Sequence, residues 1–253
     1  MTEPWAPASS PVHLRERLIV ALDRPDLNAA LEQVDRVGDA VLWYKVGLQL
    51  FCAAGRGAVL ALADRGKRVF LDLKLHDIPA TVERAIRALE GLPVSLLTVH
   101  ASGGPDMLRA AAEAARYLAG HPRVLGVTML TSLDGTEIPP LFNPKTEIEE
   151  KVLGLAALCA TSGVDGVVAS PREIQPLRLE HPAPFLIVTP GIRGPNDPAH
   201  DQKRTLSLAE AFARGADYVV VGRPILESAD PRGTVAAYEA SLAAAFSKER
   251  ADA

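Results

Sequence analysis

Apolar residues along this chain follow two alternating rhythms. Short apolar runs stand at Leu18–Leu22, Val41–Val46, Arg68–Leu73, Leu96–Val99, Val124–Thr128, Gly166–Ala169, Phe185–Val188 and Tyr218–Val221, with the length and composition of buried strands. Ala/Leu-rich stretches follow them at Leu27–Val37, Leu48–Ala63, Thr81–Leu89, Pro105–Leu118, Glu147–Thr161, Arg172–Leu179, Leu208–Arg214 and Gly233–Phe246, and these read as helices. Strict alternation predicts a parallel sheet with crossover helices. Eight repeats of strand then helix in about 230 residues predict a single-domain α/β fold, the (β/α)8 TIM barrel. An open doubly wound sheet would want a Gly-rich turn after the first strand, and that turn reads Asp23-Arg24-Pro25-Asp26. The barrel is expected over residues 15–247, with a flexible N-terminal arm at 1–14 and a fraying C-terminus at 248–253. Two longer loops, Ser132–Glu147 and Pro190–Thr205, have the length of functional covering segments.

Composition narrows the function classes. Of 253 residues, 48% are hydrophobic and 23% charged, the profile of a globular protein. A formal net charge of -4 with no strongly basic segment argues against a nucleic-acid surface. No apolar run reaches the length that spans a bilayer, and residues 1–11 lack the apolar centre of a signal peptide. Cys52 and Cys159 are far apart without metal-ligand spacing, as expected of reduced thiols in a cytoplasmic protein.

Chemistry gathers where the strands run out. Asp23 follows the first run, Lys45 ends the second, Asp72 and Lys74 end the third, and His100 ends the fourth. Thr131 follows the fifth, Arg193 the seventh, and Gly222-Arg223 the eighth. In a barrel these positions share the rim on which active sites are built. Asp72 and Lys74 are the most informative: on a regular strand they project from one face while Leu71, Leu73 and Leu75 project from the other. A carboxylate and an ammonium in so apolar a run are costly unless paired. Single residues have simpler uses. Asp23 and Asp77 suit helix caps, Lys45 has the reach to snorkel to water, and His100 suits a satisfied core position. Arg193, Gln202, Arg204 and the Gly222-Arg223-Pro224 turn read together as a phosphate site, where barrel enzymes often place one.

The segments Val20-Ala21-Leu22-Asp23, Tyr44-Lys45-Val46-Gly47, Phe70-Leu71-Asp72-Leu73-Lys74-Leu75-His76-Asp77-Ile78-Pro79, Thr128-Met129-Leu130-Thr131-Ser132, Val188-Thr189-Pro190-Gly191-Ile192-Arg193, Asp201-Gln202-Lys203-Arg204, Gly215-Ala216-Asp217-Tyr218 and Val221-Gly222-Arg223-Pro224 run through most of the chain. In these segments the chain resembles the orotidine 5′-phosphate decarboxylase family. The resemblance implies a homodimeric barrel that converts orotidine 5′-monophosphate to uridine 5′-monophosphate and CO2 without metal or organic cofactor. It implies a charged catalytic network of Lys45, Asp72, Lys74 and Asp77, with Asp77 and Thr81 reaching across the dimer interface. It implies substrate contacts from Asp23, Ile78, Thr131, Pro190, Arg193, Gln202, Gly222 and Arg223. Two other readings of the same strand remain: a metal-dependent barrel acting on sugar phosphates, and a Schiff-base lyase using Lys74 as nucleophile.

Overall fold

Eight parallel strands close on themselves in the computed structural model, which describes residues 13–131, 147–193 and 206–251, the side chains of Arg193 and of residues 248–251 excepted. In chain order the strands are β1 (Leu18–Ala21), β2 (Trp43–Gly47), β3 (Arg68–Leu75), β4 (Val94–His100), β5 (Arg123–Val127), β6 (Gly166–Val168), β7 (Leu186–Pro190), β8 (Ile192–Arg193), β9 (Leu206–Ser207) and β10 (Tyr218–Val221). The barrel runs β1 to β7 in sequence order and is closed by β10, which pairs with both β7 and β1. The chain is a (β/α)8 TIM barrel, as the alternation predicts. A small parallel sheet of β8 and β9, not foreseen from the sequence, follows the seventh barrel strand.

The helices are α1 (Leu14–Arg17), α2 (Leu27–Val37), α3 (Leu48–Ala54), α4 (Arg56–Ala63), α5 (Pro79–Arg87), α6 (Gly104–Tyr117), α7 (Ile148–Thr161), α8 (Ile174–Glu180), α9 (Leu208–Ala213), α10 (Arg223–Leu226) and α11 (Pro231–Ala251). Asp26, not Asp23, caps α2: its side chain accepts the Ala29 N–H at 2.8 Å. The stretch expected as one helix over Leu48–Ala63 is two, because Gly55 takes a φ of +54° between them, a left-handed conformation that ends a helix. Leu14, expected at the end of a loose arm, is wholly buried. The last helix continues past 247 to Ala251. Residues 1–12 and most of the two long loops lie outside the described residues.

Strand alternation builds two cores. Ile19, Phe70, Leu96, Leu125, Val188 and Val220 fill the barrel interior. Their neighbours Val20, Leu71, Leu97 and Val221 face outward into the larger shell between strands and helices, as the period of two requires. At the N-terminal end the interior closes with Trp43 edge-on to Tyr218, centroids 5.1 Å apart, and the Arg68 guanidinium 5.4 Å over the Trp43 ring. The interior is thus packed from below, and polar side chains enter it at the C-terminal end. Cys159 is buried, which pushes its thiol up to about 12; Cys52 is exposed and neither forms a disulfide.

Candidate active site

The C-terminal ends of β1, β2 and β3 carry four charges in an alternating line. Lys45 Nζ lies 3.2 Å from Asp23 Oδ1 and 3.4 Å from Asp72 Oδ2. Lys74 Nζ lies 2.7 Å from the same Asp72 oxygen. Exposure grades along the line: the Asp72 side chain is 9% exposed, Lys45 13%, Lys74 29% and Asp23 61%. Asp72 is therefore the buried anchor, flanked by two ammonium groups. Burial pushes its carboxyl up, but Lys45 and Lys74, with hydrogen bonds from Lys74 and Thr98, outweigh that and hold it below the ordinary value.

Simple strand alternation does not bring Asp72 and Lys74 together. In the pairing of β3 with β4, Leu71 stands opposite Leu97 and Leu75 opposite Val99. Three residues, Asp72, Leu73 and Lys74, thus face the single residue Thr98. This is a bulge, a device that re-aims side chains at sheet ends. Lys74 takes a φ of +51° within it, a conformation that an L-residue with a side chain adopts only at a cost. The Thr98 hydroxyl fills the gap, accepting the Lys74 N–H at 2.9 Å and donating to Asp72 Oδ1 at 2.9 Å. The expected pairing is present, and a bent backbone makes it.

Gly47, at the end of β2, gives the lysine room. A Cβ there would stand 2.8 Å from Lys45 Nζ and 3.2 Å from Asp23 Oδ1. Thr98 and Gly47 were both missed as site residues in the sequence. The available signals were a hydroxyl interrupting the apolar run of β4 and a glycine directly after a lone lysine.

The resemblance implies that Asp77 acts across a dimer interface, and within its own chain Asp77 stands apart from the line. After Leu75 the chain leaves the barrel, and His76 through Thr81 are all exposed. The Asp77 carboxylate accepts the Ile78 N–H at 2.7 Å, and among the described residues it forms no ion pair within the chain. Ile78 is 65% exposed at the start of α5 and Thr81 lies in its first turn. His100 is half-buried at the end of β4 and packs at a tilt against His76, centroids 5.3 Å apart. Burial lowers its imidazole pKa, and His76 and Lys74 add to that against Asp72.

The remaining rim positions are spread over the later strands. Thr131 is half-buried just beyond β5, and Pro190 ends β7 opposite Val220. Gly222 follows β10, where an added Cβ would meet nothing nearer than Ala21 Cβ at 3.6 Å, so no packing inside the chain demands a glycine. Arg223 is exposed at the start of α10. Arg193 has its backbone in β8, while its side chain, Gln202 and Arg204 fall outside the described residues.

A parallel (β/α)8 barrel with a partly buried line of acids and amines at its C-terminal strand ends has the design of a barrel enzyme. Comparison with known proteins makes that class particular. A family model described as "Orotidine 5'-phosphate decarboxylase / HUMPS family" matches residues 16–238. The orotidine 5′-phosphate decarboxylase of Moorella thermoacetica is 46% identical over 236 residues, covering 91% of this chain and 94% of its own. That of Laribacter hongkongensis is 44% identical, covering 95% and 99%. A crystal structure of orotidine 5′-phosphate decarboxylase from Lactobacillus acidophilus superposes with a TM-score of 0.79 at 36% identity, over 90% of this chain and 99% of that one. The chain belongs to the orotidine 5′-phosphate decarboxylase / HUMPS family.

Proposed function

We propose that the chain is a carboxy-lyase that converts orotidine 5′-monophosphate to uridine 5′-monophosphate and CO2, the activity named for its relatives at 41–46% identity. The observation that carries the chemistry is the Lys74 ammonium 2.7 Å from a buried carboxylate at the rim. The bond from ring carbon 6 to the substrate carboxylate breaks, and its electron pair stays on carbon 6. CO2 leaves, the Lys74 ammonium stabilises the carbanion, and it then donates its proton to carbon 6. Solvent returns the proton to the amine. Asp72 holds and aims the Lys74 ammonium, and Lys45 helps keep Asp72 ionised in turn. Fixed charges of this kind act before the reaction begins and need no reorganisation during it.

One amine is not enough. The largest enzymatic accelerations require roughly 20 kcal/mol of barrier reduction, whereas a single well-placed donor supplies about 3–4 kcal/mol. Binding energy from the phosphate, held by Gln202, Gly222, Arg223 and Arg193, supplies part of the remainder. Asp23 and Thr131 orient the ribose and the ring. The exposure of Asp77, Ile78 and Thr81 supports a homodimer in which Asp77 and Thr81 complete the partner's site. Among the described residues no helix is long and apolar enough to cross a membrane; we read the enzyme as cytoplasmic.

The test follows the orotate chromophore with purified protein. Wild type consumes it and releases one CO2 per turnover. Lys74→Ala drops turnover below about one thousandth while still binding uridine 5′-monophosphate through the phosphate contacts. Wild-type protein that leaves the chromophore intact, or a Lys74→Ala variant that keeps turning over, overturns the reading.

A further inference from the structure

Thr98 is fully buried on the inner face of β4, and the bulge in β3 is built around it. Its hydroxyl is used in both directions at 2.9 Å, toward the Lys74 N–H and toward Asp72 Oδ1. An amide N–H only donates and an ionised carboxylate only accepts, so the hydroxyl proton has a single consistent direction. The same hydroxyl thereby fixes two things at once. It holds the backbone at the one residue of β3 with a φ of +51°, and it fixes the plane of the carboxylate whose other oxygen holds the Lys74 ammonium. A strained conformation persists only where its surroundings determine it, and this bond is a determinant at Lys74.

We propose that Thr98 is a positioning residue for the decarboxylation: it touches no reacting atom, and it sets the aim of Lys74 through the bulge and through Asp72. The inference rests on the reading of Lys74 as the proton donor. Valine has nearly the shape of threonine but offers no hydroxyl, so it leaves the Lys74 N–H and Asp72 Oδ1 without that partner. The aim of the ammonium then loosens, and small misplacements of a reacting group are expensive in rate.

The experiment compares wild type, Thr98→Val and Thr98→Ser for turnover of orotidine 5′-monophosphate, with uridine 5′-monophosphate affinity and thermal melting as controls. In Thr98→Val, kcat falls roughly 10- to 100-fold while KM and product affinity stay within about threefold of wild type. The acid limb of its kcat/KM profile moves to higher pH, because Asp72 has lost one of the bonds that favour its ionised form. Thr98→Ser, which restores the hydroxyl, recovers most of kcat and the original acid limb. A Thr98→Val variant with wild-type kcat and acid limb overturns the inference, and so does a Thr98→Ser variant that loses as much as valine. Should Thr98→Val fail to fold, Thr98→Ala against Thr98→Ser reads the same comparison. Wild type that does not decarboxylate the nucleotide defeats the underlying reading instead, and the two failures are told apart by that first measurement.

Discussion

Two buried acid–base pairs sit at opposite ends of the barrel wall, and they are built to different ends. Arg178 and Asp217 meet at 2.6 Å beside the starts of β7 and β10. Asp217 also accepts the Ile187 N–H at 2.7 Å, and Arg178 donates further to the carbonyls of Gly215, His181 and Phe185. Five donors in a fixed fork are matched by acceptors from the chain itself. Lys74 and Asp72 meet at 2.7 Å at the other end. There the amine is a single charge on a strained residue, 29% exposed, and among the described residues Asp72 is its sole ion-pair partner. The first pair is saturated and ties strands together. The second holds an amine in place while leaving donor capacity facing the rim. Burial of a pair is thus a poor guide to chemistry; the donors left unspent are a better one.

Removing one acid from each end separates these roles, and this is the largest effect expected. Asp217→Asn strands a guanidinium in the wall and costs about 3–5 kcal/mol of stability, read by urea unfolding, while the folded fraction keeps its kcat. Asp72→Asn leaves two ammonium groups facing each other without the carboxylate between them. It lowers kcat by roughly 10²–10³-fold and costs about 2–3 kcal/mol, less than Asp217→Asn because both lysines reach solvent. Equal losses of kcat in the two variants would erase the distinction.

The same contrast shows what the sequence discloses. The barrel is legible because strand and helix periods are local: Leu27–Val37 and Tyr218–Val221 have the predicted bounds. Asp72, Lys74, Lys45 and Asp23 are legible as rim residues because a charge ending an apolar run stands out. The bulge is not legible. A register shift belongs to two strands at once, and nothing within Val94–His100 says that Thr98 faces three residues. Asp217 falls in a matching motif and Arg178 in a predicted helix, and neither segment announces their pairing, which joins positions 39 residues apart. Asp77 reads as a site residue only through the resemblance, because within its own chain it is an exposed carboxylate at a helix entry that accepts the Ile78 N–H.

Gly47 sharpens the comparison at lower cost. Alanine there would press its Cβ on the Lys45 ammonium and on Asp23, both ends of mobile side chains. The fold yields easily, so Tm shifts by no more than about 2 °C. The displaced ammonium weakens the contact to Asp72, and kcat/KM falls about tenfold. A larger change in Tm with unchanged kcat/KM would make Gly47 a packing residue.

The smallest effect lies in how stability follows pH. The folded protein holds the Asp72 carboxyl below its ordinary value, so the native state binds its proton more weakly than the unfolded chain does. Stability from the ionised carboxylate is complete above the unfolded value near 4 and is lost as pH falls through the lower folded value. Asparagine cannot ionise, so the stability difference between wild type and Asp72→Asn stays flat from about pH 7 to pH 5 and narrows below about pH 4. Urea unfolding at a series of pH values reads this directly. A difference that instead widens on acidification would mean that the neighbouring lysines do not govern Asp72, and the alternating line of charges would lose its anchor.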